Sequence, residues 1–486
     1  MNQPRWSDLV KVNLFWLAIN FRNQAVFTYF TAYLVVDFIP PDYRNTALGF
    51  LNAAGLTIAL VAQPLAGFLS DRNLSQFGRR RPFIFWGVIL EVIGLTCLTL
   101  INGYTGLLIL ILFLQLAANI SHGPYQGLIP DLIPEEKRAA ASSIKAIFEL
   151  LPTLIVGLTI ARLLEAELFD FAVVITGTVL MVLMILTVWL VKERPLQVQP
   201  DLPVLATIVR ISGMLGGLAI GGAAGLVIGA LIGGLVGLLA IPLNNGQFSV
   251  NIMIGLGGVT AMLAAIVFGV WGGTRLTLGP GITPRSPYAW WIINRFMFLT
   301  AITSIPRFAP YLLMATFGLD RQAAIGQTGD LIIVVGIVIL VTAILSPWFN
   351  KFIESIRLLQ ISGFSAAFGT LIFLLTILNP NPYYIFLAGG FIGMAGGIFF
   401  TTSWALGTTL VPPEQAGRYL GVSNLAGAGA GIVGMGIAGY LADYFNNLQP
   451  GMGYFIIYMT YGLMFLFSIA SLRGLNPPGK APRMVD

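Results

Sequence analysis

A few ionisable residues stand inside otherwise apolar stretches of this 486-residue chain, where each could carry a proton, a charge or a solute. Arg22 has Asn20, Asn23 and Gln24 as neighbours, and a guanidinium there can clamp a substrate oxygen or pair with a carboxylate. Glu91 lies in the middle of an apolar run, where a carboxylate removed from water can load and release a coupling proton. Lys145 and Glu149 are four residues apart and can pair along one helix face. Lys145 can also reach back to the inner surface, leaving Glu149 as the deeper of the two. His122 is the single histidine, able to titrate in the physiological range, and Asn119 and Gln126 flank it about one helical turn away. Glu91, Glu149, His122 and Arg22 are therefore the candidates for coupling. Asn20, Asn119, Gln115, Gln126, Tyr125, Arg295 and Asn424 are the candidates for solute binding, with Trp404 a further aromatic that could stack on a ring. Each also has a plainer reading as an ion pair, a hydrogen bond or packing. A lone histidine makes no metal site, so neither metal nor cofactor is expected.

These residues matter because of what surrounds them. Only 9% of the chain is charged, 57% is hydrophobic, and the mean hydropathy is +0.85. A soluble domain carries about a quarter charged residues, and no water-facing surface could hide so much apolar area. The expected class is an all-α, polytopic membrane protein, with lipid as its outer solvent. A charge inside hydrocarbon costs about 2.5–3.5 kcal/mol on insertion scales, which makes each intramembrane charge a functional candidate by default.

A crossing helix needs about 20 apolar residues. Such spans fall near 13–37, 46–69, 82–101, 106–129, 143–166 and 170–191, then 208–241 and 250–271, then 287–313, 328–347, 358–378, 382–406, 419–441 and 453–473. That is about 14 spans. With the N-terminus inside, roughly nineteen Lys and Arg residues fall on the inner side and about four (Arg44, Arg162, Arg307 and Arg321) on the outer. One or three central spans would turn the second half over, so parity requires two. The net charge of +6 is spread over short loops, which argues against a nucleic-acid partner. Cys97 is the one cysteine, so no intrachain disulfide is possible. The N-terminus lacks a signal-peptide pattern, and the first span is expected to direct insertion.

The chain repeats itself. Trp16, Asn20 and Arg22 open the first span as Trp290, Asn294 and Arg295 open the ninth. Pro64 precedes the first basic loop as Pro347 precedes Lys351, and Gly127 to Glu136 finds a partner in Gly407 to Gln415. The near-constant offset implies parallel duplication: 1–191 as a first six-helix half, 192–285 as a linker carrying two extra helices, 286–473 as a second half, and 474–486 as a tail. Parallel repeats flanking a central path are one plan for secondary transporters.

The loop after the second span runs Gly67, Ser70, Asp71, Arg72, then Gly78, Arg79, Arg80, Arg81, Pro82. Gly67 permits close helix approach, Asp71 can pair with a base or a helix N-terminus, and Pro82 suits a first helical turn. This loop resembles the gating motif of the major facilitator superfamily. Its spacing, with Gly123, Pro124, Asp131 and Leu132 in the fourth span, is similar to the sucrose-transporter branch of the glycoside–pentoside–hexuronide:cation symporters. The resemblance implies proton-coupled sugar uptake. That branch carries an Asp where Gln115 stands, implied to hold the proton, and an Arg where Gln126 stands, implied to help bind sugar.

Glycines at 213, 217, 221, 225, 229, 233 and 237 form a smooth helical stripe for a close packing partner. The adjacent span, the transporter body and another subunit are all open as that partner. No phosphate loop or nucleophile set is present, so the chain reads as no enzyme. The expectation is a transporter of a small polar solute, first a sugar, by alternating access with a proton or sodium ion. It would lie in the cell (inner) membrane with both termini cytoplasmic. Transport of an organic acid or amphipathic compound, or a non-transporting assembly role, are the alternatives.

Overall fold

The computed structural model describes residues 5–193, 195, 204–243, 246–279, 286–411 and 416–475. The polar linker beyond Glu193, the basic residues Arg194, Arg285, Lys480 and Arg483, and the repeat partners Pro413, Glu414 and Gln415 lie outside the described residues. So do the side chains of Arg210 and Arg418.

Among the described residues, every regular element is helical, and 13 helices are long and apolar enough to cross a membrane. The first expected span is built differently. It consists of α1 (Trp6–Gln24) and α2 (Thr31–Phe38) on either side of a π turn at Ala25–Phe30. The other helices of the first half are α3 (Arg44–Asp71), α4 (Arg81–Cys97), α5 (Tyr104–Gln126), the short α6 (Leu128–Leu132), α7 (Glu135–Leu158), the short α8 (Ile160–Glu165) and α9 (Phe169–Leu190). Next come α10 (Val204–Ala240) and α11 (Gly246–Leu278). Six more complete the chain: α12 (Pro287–Phe317), α13 (Arg321–Phe349), α14 (Ser355–Leu378), α15 (Pro382–Thr409), α16 (Ala416–Leu448) and α17 (Met452–Ser471).

Prolines lie inside α3, α5, α7, α12 and α13, where a soluble helix would break. Apolar surroundings leave the backbone no water to turn to, so neighbouring helices and local adjustments re-satisfy the freed groups. Pro82 and Pro382 sit instead in first turns, where a missing N–H costs nothing.

The chain divides into two compact units, Met1–Ile208 with Pro306–Leu340, and Val209–Ile305 with Val341–Asp486. In the first, α3 and α5 approach until a Cβ on Gly123 would lie 3.1 Å from the Gly67 nitrogen. In the second, the glycine stripe finds its partner. A Cβ at Gly229 would lie 2.6 Å from the Gly257 carbonyl oxygen, one at Gly225 2.7 Å from that of Ala261, and one at Gly217 2.6 Å from the Gly273 Cα. The adjacent span α11 therefore fills the whole stripe, backbone against backbone. The far side of α11 then meets α16, where the Tyr444 hydroxyl bonds Asn251 at 3.2 Å.

Candidate functional site

Three helices of the first unit carry polar residues in register. Along α1, Asn13, Trp16, Asn20 and Gln24 recur every three or four residues, so they share a face. Arg22 is two residues from Asn20 and points to another side. Along α5, Gln115, Asn119, His122 and Gln126 follow the same spacing, and Lys145, Glu149 and Thr153 do so along α7.

Arg22 forms an ion pair with Glu91 of α4, with side chains only 3% and 1% exposed. Glycines place this carboxylate. Gly87 and Gly94 lie four residues before and three after Glu91, on the face of α4 that meets α5. A Cβ at Gly87 would be 2.6 Å from the Ser121 nitrogen. The close helix approach seals the pair from water. Two ions so enclosed stand or fall together, because removing either leaves the other charge without compensation.

A second polar seam joins α1 to α7. The Lys145 ammonium lies over the Trp16 ring, 4.2 Å from its centroid, and 3.3 Å from the Glu149 carboxylate. Further along, the Gln24 amide donates to the Thr153 hydroxyl at 3.2 Å, and the Thr28 hydroxyl donates back to Gln24 at 3.1 Å. The Asn13 amide donates to the Ala141 carbonyl at 3.0 Å. His122 meets Trp16 edge-on at 5.2 Å and bonds Gln126 at 3.1 Å. The result is one connected string: Glu149, Lys145, Trp16, His122, Gln126.

Magnitudes distinguish this seam from ordinary helix decoration. Lys145 and Glu149 lie ten and fourteen residues beyond Glu135, about 15 and 21 Å along the axis of α7. The first of those residues are the charged Glu135, Glu136, Lys137 and Arg138, so within the span 143–166 Lys145 lies about 3 Å and Glu149 about 9 Å into a hydrocarbon core of about 30 Å. Their side chains are 29% and 34% exposed. A helical pair at this spacing contributes only about 0.3–0.5 kcal/mol, against insertion costs of about 2.5–3.5 kcal/mol for each charge. Stability does not explain the pair. Charges at this depth face protein or a water-filled path rather than lipid.

The remaining expected residues divide clearly. Asn119 donates to the Gln115 carbonyl at 2.7 Å and its side-chain oxygen at 3.4 Å, both residues being buried. Tyr125 is buried as a strut. Its hydroxyl donates to the Val12 carbonyl at 2.7 Å and accepts from the Phe15 nitrogen at 3.0 Å, binding α5 to α1. Asn20 is half-buried and donates to the Trp16 carbonyl at 2.9 Å. In the second unit, Arg295 lies over Trp404 at 5.2 Å and Trp291 at 6.0 Å, Asn294 donates to the Ser468 carbonyl at 2.8 Å, and Asn424 is exposed on α16. Of the two readings of Lys145, the structure shows the pair with Glu149 rather than a reach to the surface, and the π face of Trp16 offers its ammonium a further seat.

The loop between α3 and α4 is a tight knot. Arg80 pairs with Asp71 at 2.9 Å and with Asp131, and donates to the Pro124 carbonyl at 3.1 Å; Arg79 also pairs with Asp131. Arg72 lies over the Phe68 ring at 4.7 Å. The backbone N–H groups of Arg80 and Arg81 both donate to Glu193 at 3.0 Å, and Arg81 caps the Val188 carbonyl. Gly78 is required twice over. Its φ is +105°, and a Cβ there would lie 2.5 Å from the Glu193 carboxylate. Burial pushes the Glu193 carboxyl above its ordinary range, opposed by the two backbone N–H groups and by Arg80.

Sequence reasoning missed Trp16 and Glu193 as functional parts, and gave Asp131 no partner. The available signal was register. Trp16 and Asn20 share a spacing with Gln24, and Lys145 and Glu149 share one with Thr153.

No curated protein sequence matches this chain. Among solved structures it resembles a nucleoside transporter at 12% identity, covering 96% of this chain and 99% of that one, with a TM-score of 0.63. It resembles a D-xylose–proton symporter at 18% identity, covering 95% and 97%, with a TM-score of 0.61. A POT family transporter matches at 12% identity, covering 97% and 99%, with a TM-score of 0.64. Residues 17–435 match the sequence pattern described as Major Facilitator Superfamily.

Proposed function

Because this chain belongs to the Major Facilitator Superfamily, we propose that it is a secondary transporter moving a small polar solute by alternating access, driven by a proton or sodium gradient. The observation that carries this reading is the sealed Arg22–Glu91 pair beside the α1–α7 seam. Helices that only fill a membrane have no reason to keep such charges. A transporter does, because it must bind and release an ion and a solute within the membrane.

A sugar is the first candidate for the solute. The resemblance of the α3–α4 loop to the sucrose-transporter branch supports it, as do structural neighbours that include a D-xylose–proton symporter. In that reading Asn20, Gln126 and His122 would offer hydrogen bonds, and Glu91 would carry the proton. The charge of the seam favours a second reading, an organic acid. The sequence partition into 1–191, 192–285, 286–473 and 474–486 supports two repeated halves with an inserted hairpin. The basic bias of the loops supports cytoplasmic termini in a cell (inner) membrane.

Reconstitution tests the proposal. The full chain in liposomes should accumulate a labelled solute under an inward proton or sodium gradient, and dissipating the gradient should collapse the uptake. Glu91→Gln protein that remains monodisperse yet accumulates solute normally would remove Glu91 from coupling.

A further inference from the structure

Resting on the transporter reading, we propose that the solute carries a carboxylate, that Lys145 holds it, and that Glu149 takes up the coupling proton. The seam carries one part-exposed cation, Lys145, and this cation already holds a carboxylate 3.3 Å away. Trp16 fixes the ammonium from behind through its ring face at 4.2 Å, so the lysine stays in place when its partner changes. Arg22 pairs with Glu91 in a site closed to solvent, whereas about a third of each Lys145 and Glu149 side chain is open. A solute anion therefore meets Lys145 first.

The exchange balances. In the empty site Lys145 is positive and Glu149 negative. A monocarboxylate binds the ammonium in place of Glu149, and the released Glu149 takes one proton from water. The site's charge is the same before and after, so one anion and one proton cross together with no net charge moved. The charged and titratable groups around Glu149 do not block this. Lys145 faces it from α7 itself, and Tyr125 and His122 face the pair from α5. Arg22 of α1 is held by Glu91, Asp131 of α6 by Arg79 and Arg80, and Asp330 of α13 by Arg162, which also pairs with Glu165 on α8.

The test uses the full chain in liposomes with labelled lactate, gluconate and nicotinate against glucose and sucrose, under an inward pH gradient with the potential clamped or imposed. At least one carboxylate should accumulate, and an imposed potential should change its rate less than twofold. Lys145→Gln should raise KM at least tenfold while Lys145→Arg stays within threefold of the parent, which separates anion binding from folding. Glu149→Gln should lose gradient-driven accumulation yet keep carboxylate counterflow. Accumulation of a neutral sugar with none of the carboxylates overturns this inference and leaves transport standing. Carboxylate uptake indifferent to both substitutions also overturns it. Silence across both panels overturns the transporter reading as well.

Discussion

Arg22 in α1 and Arg295 in α12 are both intramembrane arginines near a Trp and an Asn, and their surroundings differ. Arg22 meets a carboxylate, Glu91, in a site that excludes water. Arg295 lies over the faces of Trp404 and Trp291. The contrast extends outward. The first unit draws its elements together with charge at Arg22–Glu91, Arg79–Asp131 and Arg80–Asp131. Much of the second is drawn together by small residues and hydroxyls. The α10 stripe lies on α11, Ser362 donates to the Ala395 carbonyl at 2.8 Å, and Ser365 to that of Phe391 at 2.8 Å. Ion pairs in hydrocarbon are costly and can be remade, whereas glycine contacts cost little and stay fixed. The difference points to the first unit as the part that switches and to the α10–α11 hairpin as scaffold.

The strongest way to break that comparison is to remove one ion at a time. Arg22→Leu or Glu91→Gln should each destabilise the protein by about 3–5 kcal/mol, because one buried charge loses its partner. Arg22→Leu combined with Glu91→Leu should recover most of the melting temperature in detergent while transport stays lost. Arg295→Leu removes a cation from the faces of Trp404 and Trp291, contacts worth about 0.5–2 kcal/mol. Equal losses at Arg22 and Arg295 would end the contrast.

The scaffold half is tested by overpacking. Gly229→Leu should cost about 1–3 kcal/mol or more, since its first side-chain carbon would already press on the Gly257 carbonyl. Gly222→Leu, with nothing within 4 Å of its Cβ, should leave the melting temperature unchanged. If both behave alike, the stripe is not what holds α10 to α11.

Gly78→Ala should cost about 1–3 kcal/mol through its positive φ, besides displacing Glu193. Tyr125→Phe should cost about 1–2 kcal/mol by stripping the Val12 carbonyl and the Phe15 nitrogen of a partner, with KM for the solute unchanged. A changed KM would mean that Tyr125 touches the solute. The smallest effect concerns Glu193. Its carboxyl is raised in the folded chain, so its contribution is complete at low pH and is lost as pH rises through the folded pKa. Glu193→Gln keeps an acceptor for both N–H groups and should flatten that fall in melting temperature on the alkaline side.

Much of this could be read from the chain alone. Apolar runs of membrane length, the one-sided placement of Lys and Arg, and the repeat of Trp16, Asn20 and Arg22 at Trp290, Asn294 and Arg295 led to a helical membrane protein of this superfamily. The motif from Gly67 to Arg81 was legible too, because its glycines and charges lie close in sequence, but its partners Asp131 and Glu193 were not. The first span's π turn was not, since nothing in Ala25–Phe30 marks it.

Composition determines the solvent around the protein, and periodicity determines its helices, because both are local sums over neighbouring residues. Which side of a helix meets which partner is decided by packing between segments tens to hundreds of residues apart. Arg22 and Glu91 were each visible as isolated charges, but only the packing of α1 and α4 made Glu91 the buried partner of Arg22. Lys145 looked free to reach for the surface until Trp16, 129 residues earlier in the chain, was found beneath it.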